Sequence, residues 1–144
     1  MSATPVSTLQ DWFENVWNRG DESAIDRMLH HEGIVHGLTA PGSEPIRGPE
    51  AFKPFHRRFR SAFPDMTIDV VHEMTRGDLT VAHCRVTGTH TGEGLGIAAT
   101  NRRVEFTGFT LVRVADGLLV EGWNCFDFLG MYQQLGVSLD LPAG

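Results

Sequence analysis

Hydrophobic residues three and four positions apart predict two helices at the start of the chain. The first begins with the capping box Ser7-Thr8-Leu9-Gln10, and Gly20 supplies its stop. The apolar stripe of this helix has the spacing of a single buried face. It consists of Leu9, Trp12, Phe13, Val16 and Trp17. A second, shorter helix is predicted from an Asp21 cap to Gly33, and a brief strand follows over residues 34–37.

A third helix is predicted from about Pro49 to Phe63, after a loop rich in proline and glycine. Its phenylalanines recur every three or four residues and therefore share one face. They are Phe52, Phe55, Phe59 and Phe63. Pro54 lies inside this segment, where it removes a backbone hydrogen bond, so we expect a local distortion in the first turns. The predicted solvated side carries the basic residues Lys53, Arg57, Arg58 and Arg60.

The second half of the chain has the composition of β-strands. The β-rich runs cover residues 67–74, 79–89, 104–114 and 118–126. Glycine-containing turns at 76–78 and 115–117 divide them into two predicted hairpins. We interpret the Arg-Gly-Asp sequence of the first turn as hairpin geometry and not as an adhesion motif. A final short helix is predicted from an Asp127 cap to Gly136. Its predicted inner face consists of Leu129, Tyr132 and Leu135.

Helices that precede antiparallel hairpins predict a segregated α+β fold and not the alternating pattern of a parallel sheet. Three helices on one face of a strongly curved, mostly antiparallel sheet form a cone-shaped α+β barrel. A cone of this size encloses a cavity, which the aromatic stripes of two helices would line. We find no repeat or linker, so residues 1–144 are predicted to form a single domain.

Composition and charge narrow the classes of function. Lys+Arg total 12 and Asp+Glu total 18, which gives a formal net charge of −6. This acidic balance argues against nucleic-acid binding, which needs clustered basic residues. We expect no membrane partner, because no apolar run approaches the ~20 residues of a membrane-spanning helix. Residues 1–5 lack the start of a secretion signal, and Cys84 and Cys125 suit buried free thiols, so a cytoplasmic location is predicted.

Two polar side chains are predicted to face the cavity from separate strands. Alternation along a strand places Thr110 on one face with Phe106, Gly108 and Val112. The same rule places Asn124 on one face with Val120, Gly122 and Phe126. A largely apolar cavity with a few convergent polar groups is the usual form of a small-molecule site. The alternative is that the two side chains only satisfy each other in a narrow core.

His36 is the candidate for acid/base chemistry, because its imidazole titrates near neutral pH. The predicted strand over 34–37 would carry it to the mouth of the cavity, and the alternative is a histidine bonded to a backbone carbonyl. We predict no metal site. The sequence His30-His31-Glu32 lacks the spacing of known zinc motifs, and its histidines suit the C-terminal end of a helix.

Several blocks of the sequence together resemble one protein family. They are FENVWNRGD at 13–21, GTHTG at 88–92, TNRRVEFTG at 100–108, DFLG at 127–130 and QLG at 134–136. From about residue 9 to residue 136, the chain resembles the SnoaL-like polyketide cyclases. These belong to the nuclear transport factor 2-like superfamily, whose fold is a helix-covered cone.

The resemblance implies an intramolecular aldol ring closure that needs no metal or cofactor. In the characterised cyclases a carboxylate on the last strand is the acid/base, and a histidine on the preceding strand assists it. The matching positions here are Asn124 and Thr110. An amide cannot accept a proton from carbon at neutral pH, but it can donate a hydrogen bond to a developing enolate oxygen.

These considerations predict a cofactor-independent cyclase or isomerase that acts on a small hydrophobic, carbonyl-bearing molecule. His36 would move the proton, and Asn124 and Thr110 would bind the substrate oxygen. The substrate would be held by Trp17, Phe52, Phe55, Phe106 and Phe126. The alternative is a non-catalytic small-molecule-binding protein on the same scaffold. Trp123 is expected on the outer face of the sheet, where it would support a homodimer.

Overall fold

The structure is a computed structural model that describes residues 6–138. Residues 1–5, on which our prediction of no secretion signal rests, lie outside the described part, as do residues 139–144. The helices are α1 at Thr8–Trp12, continued by a π-helix at Phe13–Asn18, then α2 at Glu22–Met28, α3 at Gly48–Ala62 and α4 at Phe128–Gln134. The strands are β1 at Leu29–His36, β2 at Ile46–Arg47, β3 at Thr67–Arg76, β4 at Leu79–Thr89, β5 at Arg103–Ala115 and β6 at Leu118–Phe126.

Within residues 6–138, six strands form one curved, unclosed sheet in the order β2-β1-β6-β5-β4-β3. Neighbouring strands run antiparallel, except that β1 is parallel to β6. The β5–β6 hairpin turns at Asp116 and Gly117, whose φ values of 51° and 76° suit a tight turn with two left-handed residues. The predicted α+β class, with helices and a mostly antiparallel sheet, is confirmed.

The helices and the inner face of the sheet share one hydrophobic core. Leu9 and Val16 from the first helical segment are fully buried, and Phe52 and Phe63 from the α3 region are buried in the same cluster. Burial of each such side chain contributes roughly 1.5–3 kcal/mol. Among the described residues, no helix combines the length and apolar character needed to cross a membrane.

The second helix is shorter than predicted, and its neighbouring strand is longer. α2 begins after the Asp21 cap, as expected, but it ends at Met28 and β1 begins at Leu29. His30 and His31 therefore lie on a strand and not at a helix end. The reason is tertiary: Leu29 pairs with Leu119 of β6, and this parallel ladder outweighs the local helical pattern.

The first helix changes its winding after Trp12. Ser7 caps it as predicted, since the Ser7 hydroxyl accepts a hydrogen bond from the Gln10 N–H at 3.0 Å. From Phe13 onward the segment is π-helical, and the Arg19 N–H donates to the Glu14 carbonyl at 2.9 Å. A continuous α-helix was the expectation, because the apolar period alone does not distinguish the two windings.

A bulge in β6 changes which side chains face inward. Arg113 pairs with Glu121 whereas Val114 pairs with Leu119, so Val120 has no partner on β5. Leu119, which is 4% exposed, takes the inward position that strict alternation had given to Val120. The predicted inward direction of Val120 is therefore wrong.

Two further predictions about burial are wrong. Leu129 is 50% exposed, and the fully buried residue of α4 is Met131. Cys84 is buried as expected, whereas Cys125 is exposed. Burial raises the pKa of the Cys84 thiol to about 12, which makes this thiol a structural group at neutral pH.

Candidate functional site

A cavity of about 80 Å³ lies between the inner face of the sheet and the helices. A buried water needs about 10–15 Å³ on the same measure, so this space is more than a packing defect. Its walls are almost entirely apolar. The lining includes every side chain that we predicted to hold a substrate: Trp17, Phe52, Phe55, Phe106 and Phe126.

Aromatic rings form a continuous belt around the cavity. Phe55 contacts Phe59 with 4.8 Å between ring centroids, and Phe59 contacts Phe128 at 5.7 Å. Phe128 also contacts Phe106 at 6.1 Å and Phe126 at 6.2 Å. The rings are tilted against one another, which is a favourable arrangement for aromatic quadrupoles. Flat, apolar molecules suit such a wall.

Thr110 and Asn124 bring polar atoms into this apolar space. The Thr110 hydroxyl donates a hydrogen bond to Asn124 Oδ1 at 2.9 Å, and Asn124 Nδ2 donates to the His36 backbone carbonyl at 3.0 Å. Thr110 is 4% exposed. These bonds use one of the two amide hydrogens of Asn124 and the hydroxyl hydrogen of Thr110. The pair can therefore offer one N–H donor and one hydroxyl acceptor to a bound molecule.

The end of β1 passes very close to Asn124. Gly37 has a φ of +87°, and a Cβ at this position would lie 2.0 Å from the main-chain carbonyl oxygen of Asn124. Only glycine combines this backbone conformation with this close approach. The loop that leaves β1 at Gly37 carries Leu38, which lines the cavity. Asn124 therefore lies at the junction between the site and this loop.

The side chain of His36 does not reach the cavity, contrary to our expectation. His36 pairs with Trp123 across β1 and β6, and the two rings stack with 5.6 Å between centroids. Its Nε2 lies 2.8 Å from Glu121 Oε2. The register places Val35 on the inner face, and alternation then directs His36 to the outer face. Only its backbone carbonyl takes part in the polar pair.

The outer face of the sheet carries a second row of rings. His72 of β3 stacks on His83 of β4, and His83 stacks on Phe109 of β5, with centroid distances of 5.5 and 4.8 Å. Phe109 is 53% exposed. Across residues 6–138, no group of three His, Cys, Asp or Glu side chains is placed to hold a metal ion.

Phe128, Leu38 and Glu121 are among the lining residues that sequence reasoning did not assign to the cavity. Phe128 follows the Asp127 cap, and its aromatic character in the DFLG block was an available signal. Leu38 lies in a loop without hydrophobic periodicity, so no pattern marks it. Glu121 contributes to the lining at the β6 bulge while its carboxylate bonds His36, and the sequence does not reveal that bulge.

Comparisons with known proteins identify the family of this chain. The family model described as SnoaL-like polyketide cyclase matches residues 7–135. Aklanonic acid methyl ester cyclase DnrD of Streptomyces peucetius is 29% identical over 129 residues, which are 89% of this chain and 88% of that protein. Nogalonic acid methyl ester cyclase of Streptomyces nogalater is 26% identical over 123 residues, which are 85% of this chain and 90% of that protein.

A solved structure shows the same fold. Wild-type IdmH of Streptomyces antibioticus superposes with a TM-score of 0.77 at 32% identity, and the match covers 90% of this chain and 96% of IdmH. The family match spans nearly all of the described residues. This chain therefore belongs to the SnoaL-like polyketide cyclase family.

Proposed function

We propose that this protein binds a small hydrophobic molecule with a carbonyl group in the cavity and promotes its ring closure or isomerisation through an enolate, without a cofactor. The observation that carries the proposal is the Thr110–Asn124 pair in an otherwise apolar cavity. Family membership supports a cofactor-independent cyclase or isomerase. The names of the two Streptomyces relatives support ring closure as the reaction.

The free N–H of the Asn124 amide is the group proposed to bind the substrate oxygen. Thr110 and the His36 carbonyl hold the amide plane on both sides, so its remaining hydrogen has a fixed direction. When the α-carbon of a ketone loses a proton, the carbonyl oxygen gains negative charge. A donor fixed toward that oxygen stabilises the transition state, and removal of one such donor typically costs about 10²–10³ in kcat.

An intramolecular aldol closure conserves every atom of the substrate. The enolate carbon forms a bond to a second carbonyl carbon, whose oxygen becomes an alkoxide and takes up the proton that was released. Neither Asn124 nor Thr110 accepts a proton from carbon at neutral pH. We therefore assign them oxygen binding and assign the proton transfer to hydroxide or another base from the solvent that reaches the cavity. We assign none to His36, whose side chain lies on the outer face.

A non-catalytic binding protein is the second candidate. It is favoured by the neutral amide and hydroxyl of Asn124 and Thr110, which occupy the positions where characterised cyclases carry a carboxylate and a histidine. The two candidates share the cavity and the apolar ligand. They differ in whether the bound molecule is converted.

A panel of hydroxyanthraquinones and open-chain aromatic diketones tests both candidates. Binding is measured by quenching of tryptophan fluorescence, and conversion by chromatography of the products. For an enzyme, Asn124→Ala should lower kcat about 10²-fold, and Thr110→Val should weaken both binding and turnover. Thr107→Val, at an exposed position of the same strand, is the matched control. Tight binding without conversion would favour the binding protein, and no binding by any member of the panel would contradict both.

We also propose that two copies pair through the outer face of the sheet. Support comes from the exposed Phe109 ring, the imidazoles stacked beside it, and Trp123 on the same face. Phe109→Asp should convert a dimer into a monomer in light scattering after size exclusion. Leu129→Asp is the control, because Leu129 is a similarly exposed apolar residue that lies on α4 and not on the sheet. A monomeric wild-type protein would contradict the pairing.

A further inference from the structure

Two side chains of α3 bind the last carbonyls of the π-helical segment. The final carbonyls of any helix have no partner within that helix. Here His56 Nε2 donates to the Val16 carbonyl at 2.6 Å, and Arg60 Nη1 donates to the Trp17 carbonyl at 2.9 Å. His56 and Arg60 are one helical turn apart, so both side chains leave the same face of α3. Arg60 is therefore not part of the solvated side that the sequence predicted.

Asn18, the next residue of the segment, is also held by hydrogen bonds. Asn18 Nδ2 donates to the Ile68 carbonyl at 3.2 Å, and the Ile68 N–H donates to Asn18 Oδ1 at 2.7 Å. Three consecutive residues of the π-helical segment are thus tied to α3 and β3. The segment contributes Phe13 and Trp17 to the cavity wall, and Ile68 of β3 also lines the cavity.

His56 is buried in a specific protonation state. It is 2% exposed, and its ring packs on Trp17 with 4.9 Å between centroids. Because Nε2 donates to a carbonyl, this nitrogen carries the hydrogen, and Nδ1 has no hydrogen-bond partner among the described residues. Burial lowers the pKa of the imidazole, and the neighbouring charges of Arg60 and Arg57 lower it further. The hydrogen bond to the Val16 carbonyl and the charge of Glu22 on α2 partly offset this by raising the pKa.

We propose that His56 and Arg60 are positioning residues for the pocket: they hold the π-helical segment so that Trp17 and Phe13 form its wall. Neither residue lines the cavity, so each acts through the main-chain carbonyls that it binds. Arg60 Nη1 donates to the Met66 carbonyl at 3.3 Å as well as to Trp17, and Met66 also lines the cavity. This inference rests on the proposed function, because it concerns the same pocket. A proton on Nδ1 would create a buried cation beside Arg60 with no acceptor, so the neutral imidazole that donates from Nε2 is the form that holds the wall.

The first test measures the Kd of 1,8-dihydroxyanthraquinone, a flat aromatic diketone. His56→Leu, which removes one hydrogen bond, and Arg60→Met, which removes two, should each raise the Kd about three- to tenfold. His56→Gln keeps an N–H that can reach the Val16 carbonyl and should restore binding. Arg58→Met is the matched control, because Arg58 is an exposed arginine on the same helix.

A second readout needs no ligand. In a Trp123→Phe background, the remaining tryptophans are Trp12 and Trp17, and both line the cavity. His56→Leu and Arg60→Met should shift their emission to the red and increase quenching by acrylamide, and His56→Gln should not. This readout separates the positioning role of His56 and Arg60 from the proposed function. If the wild type does not bind the anthraquinone, the proposed function is contradicted, and the tryptophan emission still shows whether His56 and Arg60 hold the cavity wall.

Folded His56→Leu and Arg60→Met variants with wild-type Kd and emission would overturn the inference. Loss of binding in His56→Gln that equals the loss in His56→Leu would also overturn it, because the N–H would then be irrelevant. Should His56→Leu fail to fold, the comparison of Arg60→Met with Arg58→Met decides.

Discussion

Thr110 lies directly opposite Asn124 in the β5–β6 pairing, and its hydroxyl donates to the Asn124 amide oxygen at 2.9 Å. This juxtaposition depends on the bulge at Val120. Beside the turn, Ala115 pairs with Leu118. That register, continued without a bulge, would place Trp123 opposite Thr110 and direct an indole into the cavity. The extra residue therefore decides which side chain enters the site.

Asn124→Asp should create an acid inside the cavity. One carboxyl oxygen would accept from Thr110, and the other would face the His36 carbonyl, which offers no hydrogen. The carboxyl can keep the second contact only when it is protonated, so its pKa should rise above the usual value. Such a group can exchange protons with a substrate near neutral pH. On a ring-closing substrate, we expect turnover to rise by about 10²-fold.

The measurement is the pH dependence of kcat for Asn124→Asp, which should show a new ionisation that the wild type lacks. Asn101→Asp adds the same charge at an exposed loop position and serves as control. Unchanged turnover with intact ligand binding would mean that the substrate carbon does not approach residue 124.

His36→Gln should leave ligand affinity and turnover within about twofold of the wild type. The His36 side chain stacks on Trp123 at the outer face, and the group that serves the site is its backbone carbonyl, which glutamine retains. Loss of the partly exposed pair with Glu121 should cost at most about 1 kcal/mol of stability. A fall in kcat of about tenfold or more would contradict this prediction and would indicate that the His36 side chain acts as an acid/base group.

Features that depend on neighbouring residues were predicted from the sequence, whereas features that depend on long-range pairing were not. Caps at Ser7, Asp21 and Asp127 are local, and each was identified from the residues beside it. The direction of His36 and the start of β1 at Leu29 depend on parallel pairing with β6, which is about 85 residues away along the chain. No local pattern encodes that register.

The site shows the same contrast. Alternation was sufficient to place Phe106 and Thr110 on one face, because β5 is regular between them. It failed at Val120, where one inserted residue reverses the rule. The π-helical winding after Trp12 also escaped prediction, and the partners of its Val16 and Trp17 carbonyls come from α3, which is distant along the chain.

Acid should destabilise the protein partly through His56. Burial lowers the pKa of this imidazole in the folded state, so below pH of about 6.5 the unfolded chain binds a proton that the folded chain resists. The contribution of His56 to stability is therefore complete above that pH and is lost as the pH falls. Urea unfolding at pH 7.5 and 5.5 should show a smaller loss for His56→Gln than for the wild type. Equal losses in the two proteins would show that His56 titrates alike in both states.

Gly37 and Gly42 offer a matched pair of substitutions that separates backbone strain from close approach. Both have left-handed φ values, +87° at Gly37 and +83° at Gly42. A Cβ at Gly42 would have no neighbouring atom within 4 Å, whereas a Cβ at Gly37 would lie 2.0 Å from the main-chain carbonyl oxygen of Asn124. Gly42→Ala should therefore cost only the left-handed strain, about 1–2 kcal/mol.

Gly37→Ala carries the same strain and must also push the end of β1 away from Asn124. That shift would stretch the bond from Asn124 Nδ2 to the His36 carbonyl and free the amide to rotate. We expect Gly37→Ala to lose clearly more stability than Gly42→Ala in urea unfolding, and to weaken binding of a carbonyl-bearing ligand while Gly42→Ala leaves it unchanged. Equal effects of the two alanines would show that the amide of Asn124 is not held by β1, and the fixed donor on which the proposed chemistry depends would be lost with it.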